Sequence, residues 1–210
     1  MVAETLGFAL VDTGLFYRAV TVEARRRGIA AGDVPGLITM LGELRIEINT
    51  SPSAGRTGAL ISIDGRDISR EAHDPAIAGE LSRISGIPDV RRMLTEPQRH
   101  AARSDAVILG RDIGTVIFPD ADVKIFVTAT PEVRARRRAR ELREAGDRVN
   151  EAEVFADIRG RDERDSQRAV APLKAAPDAH LLDTTHLDID AAFRAAIDIV
   201  EAVRAGRKRG

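Results

Sequence analysis
Two apolar runs constrain this chain more than anything else in it: Val107-Ile108-Leu109-Gly110-Arg111-Asp112-Ile113-Gly114-Thr115-Val116, then Val123-Lys124-Ile125-Phe126-Val127. Both are short, β-branched and continuous rather than alternating, which is the pattern of a fully buried strand in a parallel sheet. The first carries a glycine and an Arg–Asp pair at its end. In open α/β sheets ligands sit beyond the carboxyl ends of the strands, and Arg111 and Asp112 fall there. The planar fork of an arginine matches two oxygens of a phosphate or carboxylate at once. The competing reading is an ion pair that ties down a loop.

Which reading holds depends on the other arginines. Lys124, Lys174 and Lys208 are the only lysines among 32 basic residues, so nearly all the positive charge is guanidinium. The formal net charge is nonetheless −1 and aromatic residues make up 3%. Neither a basic field nor a base-stacking platform for nucleic acid is indicated. The absence of cysteine removes disulfides, thiol nucleophiles and thiolate metal sites. His73, His100, His180 and His186 show no metal-ligand spacing, so no protein metal site is expected. No apolar run approaches membrane length, and the residues around Glu4 and Asp12 do not read as a signal peptide. A cytoplasmic monomer is expected. A chain of 210 residues suits one domain with insertions or two small ones.

In chain order, Val2 to Gly7 has the character of a helix's final turns, with Gly7 past the end. Phe8 to Val11 reads as a strand, and Asp12-Thr13-Gly14 as the turn opening a helix from Leu15 to Arg27. Tyr17 and Arg18 lie in its first turns and can face the cleft at the strand's end. A short helix from Gly36 to Leu44 precedes two alternating segments, Arg45 to Asn49 and Ala59 to Ile63, around a loop-rich Ser51 to Gly58. With the Asp64-Gly65 turn and Arg66 to Ile68, these predict a small antiparallel sheet. Ser82 to Gly86 and Pro88 to His100 read as helical, with Pro97 expected to kink or end the second. Thr130-Pro131-Glu132 is a helix start. The helix it opens places Arg134, Arg137 and Arg138 on one face. Gly146 and Asp147 break it, a second helix runs from about Glu151 to Arg164, and Arg161, Asp165 and Arg168 close that segment. Leu181 to Asp183 reads as a last strand, Ile189 to Val203 as a last helix, and Arg204 to Arg209 as a basic tail.

Arg18, Arg111, Arg161 and the 134–138 face are too many cations for a single carboxylate. Phosphoryl transfer uses such a set, because its catalysis is mostly positioning and charge neutralisation. The plainer reading of the 134–143 segment is a solvated helix face interleaved with Glu132, Glu141 and Glu144.

Three motifs taken in order are specific. They are Asp12-Thr13-Gly14 with Tyr17-Arg18; Gly110-Arg111-Asp112-Ile113-Gly114-Thr115-Val116; and Arg161-Asp162-Glu163-Arg164-Asp165 leading to Arg168-Ala169-Val170-Ala171-Pro172-Leu173. From about Ala3 to the end, the chain resembles the bacterial cytidylate kinases, nucleoside monophosphate kinases of the P-loop class. The resemblance implies an α/β fold: a P-loop kinase-like parallel sheet with helices on both faces, a small antiparallel insert and a helical lid. It implies transfer of the γ-phosphoryl group of ATP, with Mg²⁺, to CMP or dCMP, giving CDP or dCDP. By resemblance, Thr13, Arg18, Ser82, Arg91, Arg111, Asp112, Arg161, Asp165 and Arg168 line the monophosphate site, with Tyr17 beside them. Ser82, Arg91 and Asp112 match the cytosine-reading positions. Arg18, Arg111 and Arg161 match those on phosphate, Arg111 and Arg161 being the catalytic candidates. Asp165 and Arg168 match positions near the sugar. The implied division is a core of residues 1–35, 101–130 and 169–210, a monophosphate-binding insert over 36–100, and a lid over 131–168 carrying Arg134, Arg137 and Arg138 toward ATP.

The chain departs from the family pattern where that pattern opens with a buried strand and a G-x-x-x-x-G-K-[ST] loop. Neither is found, and no lysine precedes Lys124. In the family's strand order, 2-3-1-4-5, the first strand is central, so the expectation is a sheet lacking that strand and a coding segment upstream of Met1 that supplies it. Leu109 stands where an acid is usual before Gly-Arg-Asp, and Pro97 where an unbroken helix is expected. Impaired phosphoryl transfer with retained CMP binding is expected. The alternatives are a non-catalytic CMP-binding protein and, more remotely, an arginine-rich nucleic-acid binder.

Overall fold
The computed structural model describes residues 1–51, 61–102, 105–144, 146, 148–168 and 170–207. These form two compact units, Met1–Ile113 and Gly114–Gly210. The fold is mixed α/β, with parallel strand pairs and flanking helices.

The first unit starts with α1 (Val2–Leu6), stopped by Gly7 in the left-handed conformation at φ 68, where a side chain would be strained. β1 (Ala9–Asp12) leads through Thr13 into α2 (Gly14–Arg26). α3 (Val34–Glu43) follows, capped by Asp33, whose carboxylate accepts from the Gly36 N–H. β2 (Ile46–Ile48), β3 (Ile61–Ile63) and β4 (Arg66–Asp67) make the expected antiparallel sheet, closed by Asp64 and Gly65 at positive φ. The loop expected after Ser51, with positions 59 and 60 of the expected strand, lies outside the described residues. α4 (Ser69–His73), a 3₁₀ turn (Pro75–Ile77), α5 (Ala78–Ile84) and α6 (Pro88–Ala101) complete the helical part. β5 (Ala106–Leu109) pairs in parallel with β1, with Asp12 opposite Leu109 at the carboxyl ends.

Pro97 neither ends nor breaks α6. Its missing N–H removes one helical bond a turn from the end, while Val90, Leu94 and Gln98 stay buried along the packed face and hold the last turn in place. The first run's strand ends at Leu109, directly before Gly110-Arg111-Asp112 as the sequence indicates, and Ile113–Ile117 coils as a single π-helical turn. β5 is half-buried to exposed rather than fully buried. It has one strand neighbour among the described residues, which covers only one of its long edges.

Two apolar clusters hold this unit. Phe16, Val20, Leu37, Met40, Ile84, Val90 and Leu94 gather α2, α3, α5 and α6. Leu15, Ala19, Ile61, Ile63, Ile68 and Ile77 seat the small sheet against the other side of α2. Helix α2 is therefore buried on two faces.

The second unit holds β6 (Ile125–Thr128), α7 (Pro131–Glu144), α8 (Glu151–Ser166), β7 (His180–Asp183) and α9 (Ile189–Arg207). β6 and β7 pair in parallel, Ile125 opposite His180. Thr130 caps α7, its Oγ1 accepting from the Val133 N–H at 3.4 Å, and Asn150 caps α8 through the Ala152 N–H at 3.1 Å. Gly146, at φ 94, marks the break between them, and position 147 lies outside the described residues. Of the basic tail, positions 208–210 lie outside them too. Ala135 and Ala139, one turn apart and buried, let α8 approach α7 closely.

Candidate active site
At the carboxyl ends of β1 and β5 the backbone is drawn tight. The Thr13 N–H and Oγ1 both donate to the Leu109 carbonyl, at 3.0 and 2.8 Å, and the Gly14 N–H donates to Asp12 Oδ1 at 2.8 Å. A Cβ on Gly110 would lie 2.5 Å from Thr13 Oγ1 and 2.7 Å from the Ile113 side chain. Glycine is needed there because the two loops touch.

Asp112, directly beyond that glycine, is 7% exposed, and so is Arg91 from the first turn of α6. The Arg91 guanidinium donates to Asp112 Oδ2 and, from Nη1, to the Ser85 carbonyl at 2.9 Å. Its Cζ also lies 5.2 Å from the centroid of the Tyr17 ring. Sequence-predicted residues 13, 17, 91 and 112, contributed by the two strand ends, α2 and α6, are thus brought together. Both charges of the ion pair are removed from water, so each depends on the other.

Arg18 leaves the same turn of α2 as Tyr17 and donates from Nη1 to the Ala72 carbonyl at 2.5 Å. Arg111 is half-buried between Gly110 and Asp112, and Ser82 half-buried on α5. The carbonyls of Ser85 and Ala72 are site components that sequence reasoning missed, since any residue type supplies one.

The remaining predicted residues belong to the second unit. Asp165 is buried at the end of α8 and pairs with Arg168 Nη2 at 2.6 Å, while exposed Arg161 lies 3.9 Å away. The Leu173 N–H returns to the Asp165 carbonyl at 2.9 Å and folds the following loop back on the helix. On α7, Arg134 donates to the Ala129 carbonyl at 3.0 Å and to Asp162 at 2.6 Å. Arg137 donates to Thr184 Oγ1 at 3.0 Å and to the carbonyls of Thr184 and Leu187 at 2.6 and 2.9 Å. Arg138 is exposed and pairs with Glu141. The Lys124 ammonium donates to the Pro119 carbonyl and to both Asp178 oxygens, and it holds the Asp178 carboxyl below the usual range.

The most perturbed carboxyl lies away from the predicted site. Glu23, on α2 and 2% exposed, accepts from Arg26 at 2.6 and 2.8 Å and from Arg27 at 2.7 Å. These bonds, that from Arg26 first, outweigh desolvation and lower its pKa from 4.5 to about 2.

A family model described as Cytidylate kinase matches residues 1–202. The cytidylate kinase of Bradyrhizobium diazoefficiens is 46% identical over 211 residues, covering 99% of this chain and 91% of the relative. That of Rhodopseudomonas palustris strain BisA53 is 45% identical over 210 residues, covering 99% and 90%. That of Pelotomaculum thermopropionicum is 37% identical over 209 residues, with the same coverage.

Proposed function
The chain belongs to the cytidylate kinase family, and from that premise we propose that it binds CMP or dCMP, with ATP as phosphoryl donor, and that Arg91 and Asp112 read the cytosine. The observation that carries this reading is the buried Arg91–Asp112 pair at the carboxyl ends of β1 and β5. Cytosine offers an exocyclic amino donor beside ring acceptors, so a carboxylate accepts from the one while a guanidinium donates to the other. Uracil presents a carbonyl where the amino group stands, and that oxygen would face the carboxylate. Ser82 completes the base site in this reading. Arg18, Arg111 and Arg161 take the phosphate, Arg111 and Arg161 steadying charge on the transferred group, and Asp165 and Arg168 take the sugar.

In the reaction, a phosphate oxygen of CMP attacks the γ-phosphorus of ATP and ADP leaves, so the protein's task is alignment and charge neutralisation. Arg134, Arg137 and Arg138 on α7 are the candidates for the ATP side. The functional division we propose is a core of residues 1–35, 101–130 and 169–210, an insert over 36–100 and a lid over 131–168. Mg²⁺ is a hard cation that takes oxygen ligands and normally travels with the ATP phosphates. Among the described residues no group of three or more carboxylates and imidazoles is placed to hold a metal. A monomeric cytoplasmic enzyme that does not bind nucleic acid completes the reading; no described helix is long and apolar enough to cross a membrane.

These 210 residues contain no G-x-x-x-x-G-K-[ST] sequence, and their first lysine, Lys124, is engaged by Asp178. Turnover of the chain as it stands is therefore expected to be weak, while CMP binding remains. Calorimetric titration with CMP and UMP tests this reading. The expected result is preferential CMP binding, weakened by Arg111→Ala and made less selective by Asp112→Asn. No CMP binding in a folded sample, or equal binding of CMP and UMP, would overturn it.

A further inference from the structure
Arg91 is held by three groups within the first unit. Asp112 takes one donor, the Ser85 carbonyl takes another at 2.9 Å, and the Tyr17 ring lies 5.2 Å from its guanidinium carbon. The three come from different places: the loop after β5, the end of α5 and the first turns of α2. Tyr17 is itself buried and belongs to the apolar cluster that packs α2 against α3, α5 and α6.

An aromatic ring attracts a cation through its face. That contact uses none of the guanidinium's five in-plane donors, which remain available for carboxylate, carbonyl and ligand. Hydrogen bonds to Ser85 and Asp112 fix the direction of the guanidinium; a ring beside it limits how far it rolls about that direction. We propose that Tyr17 is a positioning residue for base selection: its ring sets the orientation of Arg91, so that a pyrimidine meets Arg91 and Asp112 in one prepared geometry. This rests on the reading that Arg91 and Asp112 meet the base. The sequence places Tyr17 in the motif but gives it no such partner; the ring contact does.

The test is calorimetric binding of CMP and UMP to the intact 210-residue protein carrying Tyr17→Phe, and to the same variant with a fully fluorinated ring. Fluorination keeps the shape, and with it the packing, but removes the electron-rich face. Each is also measured on an Arg91→Ala background. Tyr17→Phe is expected to keep the CMP preference over UMP within about twofold, and fluorination to lower it about tenfold, between the effects of an exposed and a fully desolvated cation–π contact. On the Arg91→Ala background fluorination is expected to change nothing. A fluorinated ring that leaves the preference intact, while Arg91→Ala abolishes it, would overturn the positioning role and leave the base reading standing. A fluorination effect that persists without Arg91 would overturn it equally. If Arg91→Ala itself leaves the CMP preference unchanged, the base reading fails, and the role given to Tyr17 fails with it.

Discussion

The two units are held together by different physics. In the first, whole aliphatic and aromatic side chains are removed from water: Phe16, Leu37, Met40 and Leu94 in one cluster, Ile61, Ile63 and Ile68 in the other. Each such side chain contributes on the order of 1.5–3 kcal/mol. In the second, the buried apolar residues are mostly alanines, such as Ala129, Ala135, Ala139 and Ala176. Two large apolar residues of its strand pair, Val127 and Leu181, are 61% and 67% exposed. What fastens that unit is charge meeting carbonyl and carboxylate: Arg137 on Thr184 and Leu187, Arg134 on Ala129 and Asp162, Lys124 on Pro119 and Asp178. The arginine wealth of the sequence therefore has two uses. In the first unit a guanidinium is a buried, prepared group in the candidate base site; in the second, guanidinium groups fasten the loops after β6 and β7 and the facing helix to α7.

The difference can be broken most severely at Asp112. Asp112→Ala leaves Arg91 charged and without its carboxylate in a buried site, which is expected to cost about 3–5 kcal/mol. Arg138→Ala, which removes an exposed pair in the second unit, is expected to cost under about 0.5 kcal/mol. Urea unfolding of the two variants measures both, and near-equal losses would erase the distinction.

Acid provides the next largest effect, because Glu23 ionises at about 2 in the folded chain and at 4.5 when free. A depressed folded pKa stabilises above the unfolded value and loses that contribution as pH falls through the window from 4.5 to about 2. Roughly 3 kcal/mol should disappear across it, with amides of α2 exchanging earliest. In Glu23→Gln that pH dependence is expected to be absent, and an unchanged acid transition would contradict the assignment.

In the second unit the corresponding weak point is Arg137. Arg137→Ala takes a donor from the Thr184 hydroxyl and the Leu187 carbonyl, and one of two from the Thr184 carbonyl, which keeps the Leu187 N–H, a loss of about 2 kcal/mol. Arg137→Lys is expected to recover little of it, because one ammonium cannot reproduce the planar fork. Full recovery by lysine, read from thermal unfolding, would mean that charge alone matters there.

The smallest effect has the opposite sign. Gln98 is 1% exposed, and neither end of its amide has a hydrogen-bond partner among the described residues. It sits one turn beyond Leu94 on the packed face of α6. Gln98→Leu is expected to stabilise the protein by about 1 kcal/mol; a destabilised variant would show that the amide is satisfied in solution.

Local chemistry made much of this legible beforehand. Gly7 and Gly146 end or separate helices because they take positive φ, Asp64-Gly65 turns a hairpin, and Thr130-Pro131 and Asn150 start helices with their own oxygens and ring. The Asp-Thr-Gly and Gly-Arg-Asp motifs fell beyond paired strands because a parallel β1–β5 register puts their ends side by side. What was not legible depends on tertiary neighbours. An apolar run cannot say whether strand neighbours cover both its edges, so the pattern of full burial in β5 and β6 overstates it, and both are more exposed. Nor does the run assign a conformation to Ile113–Ile117, which coils as a π-helical turn. Pro97 reads as a breaker in a local pattern, which does not show the packing of Leu94 and Gln98 around it. The partners of Arg18 and Arg91 include backbone carbonyls of Ala72 and Ser85, which no residue type announces.

The most direct measurement is hydrogen–deuterium exchange of the 210-residue protein with saturating CMP and, separately, with UMP at the same concentration. If the base is read in the first unit, CMP slows exchange at the start of α2, at the turn around Ser85 and Arg91, and through residues 110–112, and UMP does so far less. Equal protection by the two nucleotides, or protection confined to the second unit, would contradict the assignment of base recognition to Arg91 and Asp112.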